Sequence, residues 1–176
     1  MNTKNLWRTF LALAILFTMS FLIWSGVRIY AAVDFSLGYN SYAKLAANAS
    51  TVELALRHLD EAIGYVERQE YGDGTVSIFV KNQNNNVGIW RENLIGARDE
   101  LRNMPEDADI TARTNLLMKL REVLMDSTSS SSDVVTHPSG ISVYPNNVGY
   151  FWWCVLSTLF ACAAWCVVIF KQYDWC

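Results

Sequence analysis

The sequence predicts an all-α membrane protein in which two transmembrane helices flank a small antiparallel helical bundle, with one short β-ribbon as an addition. Three observations predict it. Residues 9–27 and 149–170 are free of charged side chains. Three stretches between them repeat apolar residues at alternating steps of four and three. The region between the runs is acidic and contains no cysteine.

Residues 1–8 carry Lys4 and Arg8 and read as a short cytoplasmic N-terminus. The first run, TFLALAILFTMSFLIWSGV, spans 19 residues. As a helix it measures about 28 Å, against a hydrocarbon core of about 30 Å. Lipid offers backbone groups no hydrogen-bond partner, so such a run must be helical. Trp7 and Trp24 bracket it, and Trp152 and Trp153 sit at the start of the second run. Amphipathic rings collect where headgroups meet water, so all four are expected as interface anchors. Bulky Ile29 and Tyr30 precede the small residues Ala31 and Ala32 where a leader peptidase would cut. The first run is therefore expected to stay as a signal anchor.

Residues 28–126 form the expected extracytoplasmic helical domain. Its first helix has Val52, Leu56, Leu59, Ile63 and Val66 on one stripe and opens with Ser50 and Glu53 at capping-box spacing. Its second repeats the spacing through Trp90, Leu94, Ala97, Leu101 and Met104 and ends at Pro105, with residues 82–86 supplying asparagine caps. The third carries Ile110, Leu117, Leu120 and Leu124, with Asp107 and Asp109 at its positive end. Stripes of this length pack helix on helix in a small bundle. A further helix is conceivable over residues 34–47, continuing from the first span, although Gly38 and Asn40 weaken it. Residues 75–80 are β-branched and apolar, and their expected ribbon partner is 141–144. Residues 127–148 begin with a Ser-rich run and read as a flexible tether.

The second run, residues 149–170, is followed by a short cytoplasmic tail, 171–176. Ser157, Ala161 and Ala164 lie on one face, and Ser25 and Gly26 lie late in the first span. Small side chains let helices approach closely in lipid, so these five are expected to pack helices together in the membrane. Lys4, Arg8 and Lys171 outside the spans place the termini in the cytoplasm and the middle segment across the plasma (inner) membrane.

Composition excludes some functions. Residues 28–148 hold 11 Lys and Arg against 16 Asp and Glu, a net charge of −5. That sign opposes phosphate binding, so nucleic acid is not an expected partner. Cys154, Cys162 and Cys166 share a helical face, but cysteine is an ordinary small hydrophobe in apolar surroundings, and no metal or other cofactor is expected. Cys176 could take an acyl chain. His58 and His137 read as solvated, with no serine or cysteine nucleophile paired to either. Asn48-Ala49-Ser50 matches a glycosylation sequon but competes with the capping role of Ser50. Neither span carries a charged side chain, which argues against a solute pathway.

The layout is similar to the sensor half of bacterial chemoreceptors and histidine kinases, although no motif carries the likeness. Only residues 171–176 follow the second span, so signalling would have to pass through a partner. The sequence thus points to a non-enzymatic membrane protein, a structural or accessory subunit. Its partners are the lipid bilayer and a membrane or envelope protein, or a second copy of itself. The alternative is an extracytoplasmic sensor or regulator acting through a partner membrane protein.

Overall fold

A computed structural model describes residues 3–126 and 134–173. The Ser-rich run at 127–133 and the tail positions Trp175 and Cys176 lie outside the described residues. The chain is mostly helical, with almost no strand. It divides into two compact units, one made of residues up to Ala31 together with those from Asn146 onward, the other of Ala32–Pro145.

The first unit contains α1 (Thr3–Phe35) up to Ala31 and α6 (Asn147–Tyr173). Both helices are long and apolar enough to cross a membrane. They run antiparallel, as Trp24 meets Tyr150 while Thr18 meets Trp165. Aromatic side chains fill the space between them: Phe17 stacks on Phe160 with ring centroids 5.1 Å apart. Ala14, Ser157, Ala164 and Val168 are buried on the facing sides, while Leu16, Ile23, Leu159 and Phe170 project outward.

The second unit begins with the last turn of α1, continues through a π turn (Ser36–Asn40) and ends its first helical stretch in α2 (Ser41–Ala47). The π turn falls on Gly38 and Asn40, the two residues that weaken an α-helix here. Gly38 leaves room for the Tyr65 ring, which a Cβ at this position would approach to 2.1 Å. Helix α3 (Val52–Arg68) packs on α2, α4 (Val87–Arg102) packs on α3, and α5 (Ile110–Leu124) packs on α2 and α4. One core unites them, centred on Tyr39, Ala43, Leu59, Ile63, Trp90 and Leu124.

Helix ends differ from expectation in several places. Thr51, not Ser50, caps α3, its hydroxyl accepting from the Leu54 amide at 3.2 Å. Of two adjacent hydroxyls, the one with extended backbone at the helix boundary becomes the cap. Helix α4 opens on Asn86, whose side chain accepts from the Ile89 amide at 3.1 Å. It ends at Arg102 with Asn103 as C-cap, two residues before Met104. Met104 is therefore half-buried beyond the helix and is not part of its stripe. Asp109 caps α5, and the first turn leaves Ile110 in solvent, 78 % exposed, so the buried line of α5 starts later, at Leu116 and Leu117.

The expected ribbon does not form. Residues 75–80 contain a single bridge, Thr75 with Asn86, and residues 141–143 form a 3-10 turn. β-branched residues need a neighbouring edge to become a strand, and only Val76 turns inward here. Among the described residues one short antiparallel pair of strands joins β1 (Met125–Asp126) to β2 (Val134–Val135). The tether reading also fails over residues 134–145, where Val135, Pro138, Ile141 and Val143 are buried. Four apolar side chains scattered among Ser, Thr and Gly are enough to fix the segment onto the core.

Candidate functional site

Within the first unit the small residues expected to pack helices together are placed differently on the two helices. Ser157 is buried, but its hydroxyl donates back to the Trp153 and Cys154 carbonyls of its own helix, at 2.7 and 3.1 Å. Ala164 is buried and Ala161 half-buried. Ser25 donates to the Phe21 carbonyl one turn back. Gly26 is exposed, and a Cβ there would meet nothing within 4 Å, so no close approach uses it in this unit.

Indole groups do the polar work. The Trp24 Nε1 donates to the Tyr150 carbonyl at 2.8 Å. The Trp153 Nε1 donates to the Ser20 hydroxyl at 2.9 Å, and the Trp165 Nε1 to the Thr18 hydroxyl at 3.1 Å. Thr18 passes its own proton to the Ala14 carbonyl at 2.7 Å. An indole N–H in apolar surroundings costs free energy unless an acceptor meets it, so these bonds fix the pairing of the two helices. Trp24 and Trp153 thus donate between the helices, although Trp153 is also exposed, as are Trp7 and Trp152. The sequence signal for these bonds was hydroxyls at Thr18 and Ser20 inside an apolar run that has tryptophans in its counterpart.

In the second unit the carbonyl of Thr136 is held from two sides. The Tyr39 hydroxyl donates to it at 3.4 Å and the Trp90 indole at 3.2 Å. The Tyr39 and Trp90 rings meet edge to face with centroids 5.0 Å apart. His137 is half-buried and packs edge-on to Phe35 at 5.0 Å and to Tyr39 at 6.4 Å, so it rests against the core and is not fully solvated. Next to it the Tyr65 hydroxyl donates to the Asp34 carboxylate at 2.7 Å. Burial pushes the Tyr39 phenol well above the usual range, and burial followed by the Asp34 carboxylate does the same for Tyr65. Both stay neutral donors at physiological pH. Their geometry suits holding backbone in place, and no substrate-facing acid or base emerges from it.

The surface of the second unit offers two apolar features. Ile78, Phe79 and Val80 stand side by side on the loop after β-bridge residue Thr75, with Phe79 76 % and Val80 60 % exposed. Between α4 and α5 lies a groove of about 420 Å³, lined by Trp90, Leu94, Ala97, Leu116, Leu120 and Val123. The Lys119 ammonium and the Glu100 carboxylate pair across it at 2.7 Å. Cys154 is half-buried, while Cys162 and Cys166 are exposed. Among the described residues no group of three His, Cys, Asp or Glu side chains is placed to hold a metal ion. No protein-family model, no curated protein and no solved structure matches the chain.

Proposed function

We propose that the chain is a two-pass integral membrane protein with cytoplasmic termini, acting as a structural or accessory subunit. In this reading α1 and α6 lie in the lipid, and the second unit is a small extracytoplasmic bundle that docks a partner protein in the cell envelope. The observation that carries the docking role is the loop Ile78-Phe79-Val80. Phe79 and Val80, 76 % and 60 % exposed, with Ile78 beside them at 36 %, lie next to Lys81 and the polar residues that follow and have the make-up of a contact surface. The long outward-facing apolar surfaces of α1 and α6 support the membrane placement.

The test uses tagged full-length protein purified from membranes in mild detergent, alongside the Phe79→Asp, Val80→Asp double variant. A stoichiometric envelope or membrane protein that accompanies the wild type and is lost from the variant is the expected result. An unchanged set of companions, or none with either protein, would overturn the docking role. Ser77→Cys in intact cells should react with a membrane-impermeant maleimide; labelling only after lysis would reverse the orientation.

The α4–α5 groove favours a second reading, a sensor or regulator that binds a small ligand there and acts through a partner membrane protein. It predicts that a bound compound raises the melting temperature of the wild type but not of Leu116→Trp, which would fill the groove.

A further inference from the structure

Residues 48–51 form the turn between α2 and α3, and Asn48, Ser50 and Thr51 are all exposed there. The turn holds the tripeptide Asn48-Ala49-Ser50, the one place in the sequence where an asparagine has a hydroxyl residue two positions on. An N-glycan acceptor needs that carboxamide, that hydroxyl and a residue other than proline between them. The sequence assigns Ser50 to the cap of α3, but the structure releases it. The Thr51 hydroxyl takes the Leu54 amide, and the Glu53 carboxylate also pairs with Thr51. Ser50 enters no hydrogen bond among the described residues.

The acceptor nitrogen is placed so that the product fits as well. Asn48 is the C-cap of α2, and its Nδ2 donates to the Lys44 carbonyl at 2.9 Å. A carboxamide nitrogen carries two hydrogens, and this bond uses one of them. An N-glycosidic linkage replaces one hydrogen, so the modified side chain keeps one for the Lys44 carbonyl. On the preceding turn Lys44 and Leu45 are exposed too, which leaves the approach to Asn48 open. Ala49 is half-buried, and its amide donates to the Ala46 carbonyl at 3.2 Å, which fixes the turn. The charge-free run ends at Val27, well before Asn48 in the chain.

We propose that Asn48 is the acceptor of an N-linked oligosaccharide. The proposal rests on the membrane reading above, with the middle segment on the extracytoplasmic side. The donor is an oligosaccharide carried on a polyprenyl diphosphate in the same membrane, and a membrane-bound transferase brings the two together. The Asn48 Nδ2 attacks the anomeric carbon of the first sugar. A C–N bond forms there as the C–O bond to the diphosphate breaks. The polyprenyl diphosphate leaves with the electron pair, and the displaced amide proton passes to a base of the transferase. No oxidation or reduction takes place. A glycan at this point is bulky and solvated, and it stands on a turn whose polar side chains already face water.

The full-length chain is made in cells whose secretory membranes carry that donor. Wild type should migrate as a species heavier by a single glycan and return to the unmodified position after endoglycosidase treatment. Asn48→Gln and Ser50→Ala should each abolish the shift, and Ser50→Thr should retain it. Thr51→Ala removes the cap of α3 but not the tripeptide, so its shift should remain. The urea midpoint of the second unit should be the same with the glycan and when donor synthesis is blocked. Wild type without a shift, a shift that survives Asn48→Gln, or a midpoint lowered by the glycan would each overturn the proposal. Asn84→Thr separates the two levels, because it places a hydroxyl two residues after Asn82 in the exposed loop before α4. Modification at Asn82 but not at Asn48 overturns the glycan proposal alone. Modification at neither overturns the extracytoplasmic placement together with it.

Discussion

Gly38→Ala should destabilise the second unit, against the usual gain from replacing glycine in a helix. An added Cβ would lie 2.1 Å from Cδ2 and 2.2 Å from Cε2 of Tyr65, atoms of a rigid ring. The ring has no flexible end to withdraw. It must shift bodily, away from its edge contact with Phe35 at 6.0 Å and from the Asp34 carboxylate at 2.7 Å. Overpacking of this kind costs about 1–3 kcal/mol. A hydrogen bond to a charged acceptor contributes roughly 1.5–3 kcal/mol. Alanine returns about 1 kcal/mol of helix propensity. The net loss is on the order of 2–4 kcal/mol, a large share of the roughly 5–15 kcal/mol that holds a domain folded. Urea unfolding of the full-length protein in detergent, followed by proteolysis of the second unit, measures it. The same substitution in a Tyr65→Ala background should be neutral or stabilising by up to about 1 kcal/mol, because the obstructing ring is gone. If Gly38→Ala is harmless in the wild type, or equally harmful in both backgrounds, the close approach of Tyr65 is not what the glycine serves.

Asn86→Ala removes the cap of α4 and should cost about 1 kcal/mol, read as a lower urea midpoint with unchanged slope. Trp153→Phe keeps the ring but deletes the donor to Ser20, and should weaken α1–α6 pairing by roughly 0.6–2 kcal/mol, seen as a lower melting temperature in detergent; an unchanged value would mean the bond carries no net stability. Alkaline pH should unfold the second unit. Tyr39, Tyr65 and Tyr71 all have folded-state values raised chiefly by burial, so their contribution is fully present below about pH 10 and is lost as pH rises beyond it. Circular dichroism across that range checks this, and Tyr39→Phe should shift the loss to higher pH. On the acid side, Glu53 and Asp109 are held below the usual carboxylate range by hydrogen bonds at helix N-termini, so their support is present at neutral pH and fades as pH falls through the carboxylate range.

The parts of the fold that answer to local rules were readable in the residues. A charge-free run of 19 residues has few other uses than a long apolar helix. The steps of four and three located α3, α4 and α5, since a helix buried on one side must repeat at that interval. Asn86 and Asp109 marked helix starts because their short side chains reach amides that nothing else satisfies. What escaped depended on distant partners. Gly38 and Asn40 look like helix breakers until the Tyr65 ring is placed over Gly38, which converts a weak point into a π turn with continued helix. Residues 134–145 look like a linker because Ser, Thr, Gly and Pro set their composition. Their apolar residues follow no period that a window could detect, yet Val135, Pro138, Ile141 and Val143 are buried. The indole bonds to Thr18 and Ser20 span more than 130 positions of sequence, so the hydroxyls inside the apolar run are visible but which tryptophan meets each is not.

Exposed apolar side chains in this chain answer to two different solvents on the proposed reading, and that difference separates anchoring from recognition. On α1 and α6 the exposed residues surround the helix, as at Leu16, Ile23, Leu159 and Phe170, which is how a surface looks when its solvent is lipid and every direction is equivalent. On the second unit Ile78, Phe79 and Val80 follow one another on one loop, while Leu37, Leu45, Ile89, Ile110, Met118 and Val134 are exposed singly. Water penalises each of these at about 25 cal/mol per Å² of apolar surface left wet, and the run at residues 78–80 is the grouping on which the proposed docking role rests. A charge placed on the lipid-facing set should act on insertion, at roughly 2.5–3.5 kcal/mol for a residue at mid-span. A charge placed at Val80, 60 % exposed, should leave folding within about 0.5 kcal/mol and act on the company the protein keeps.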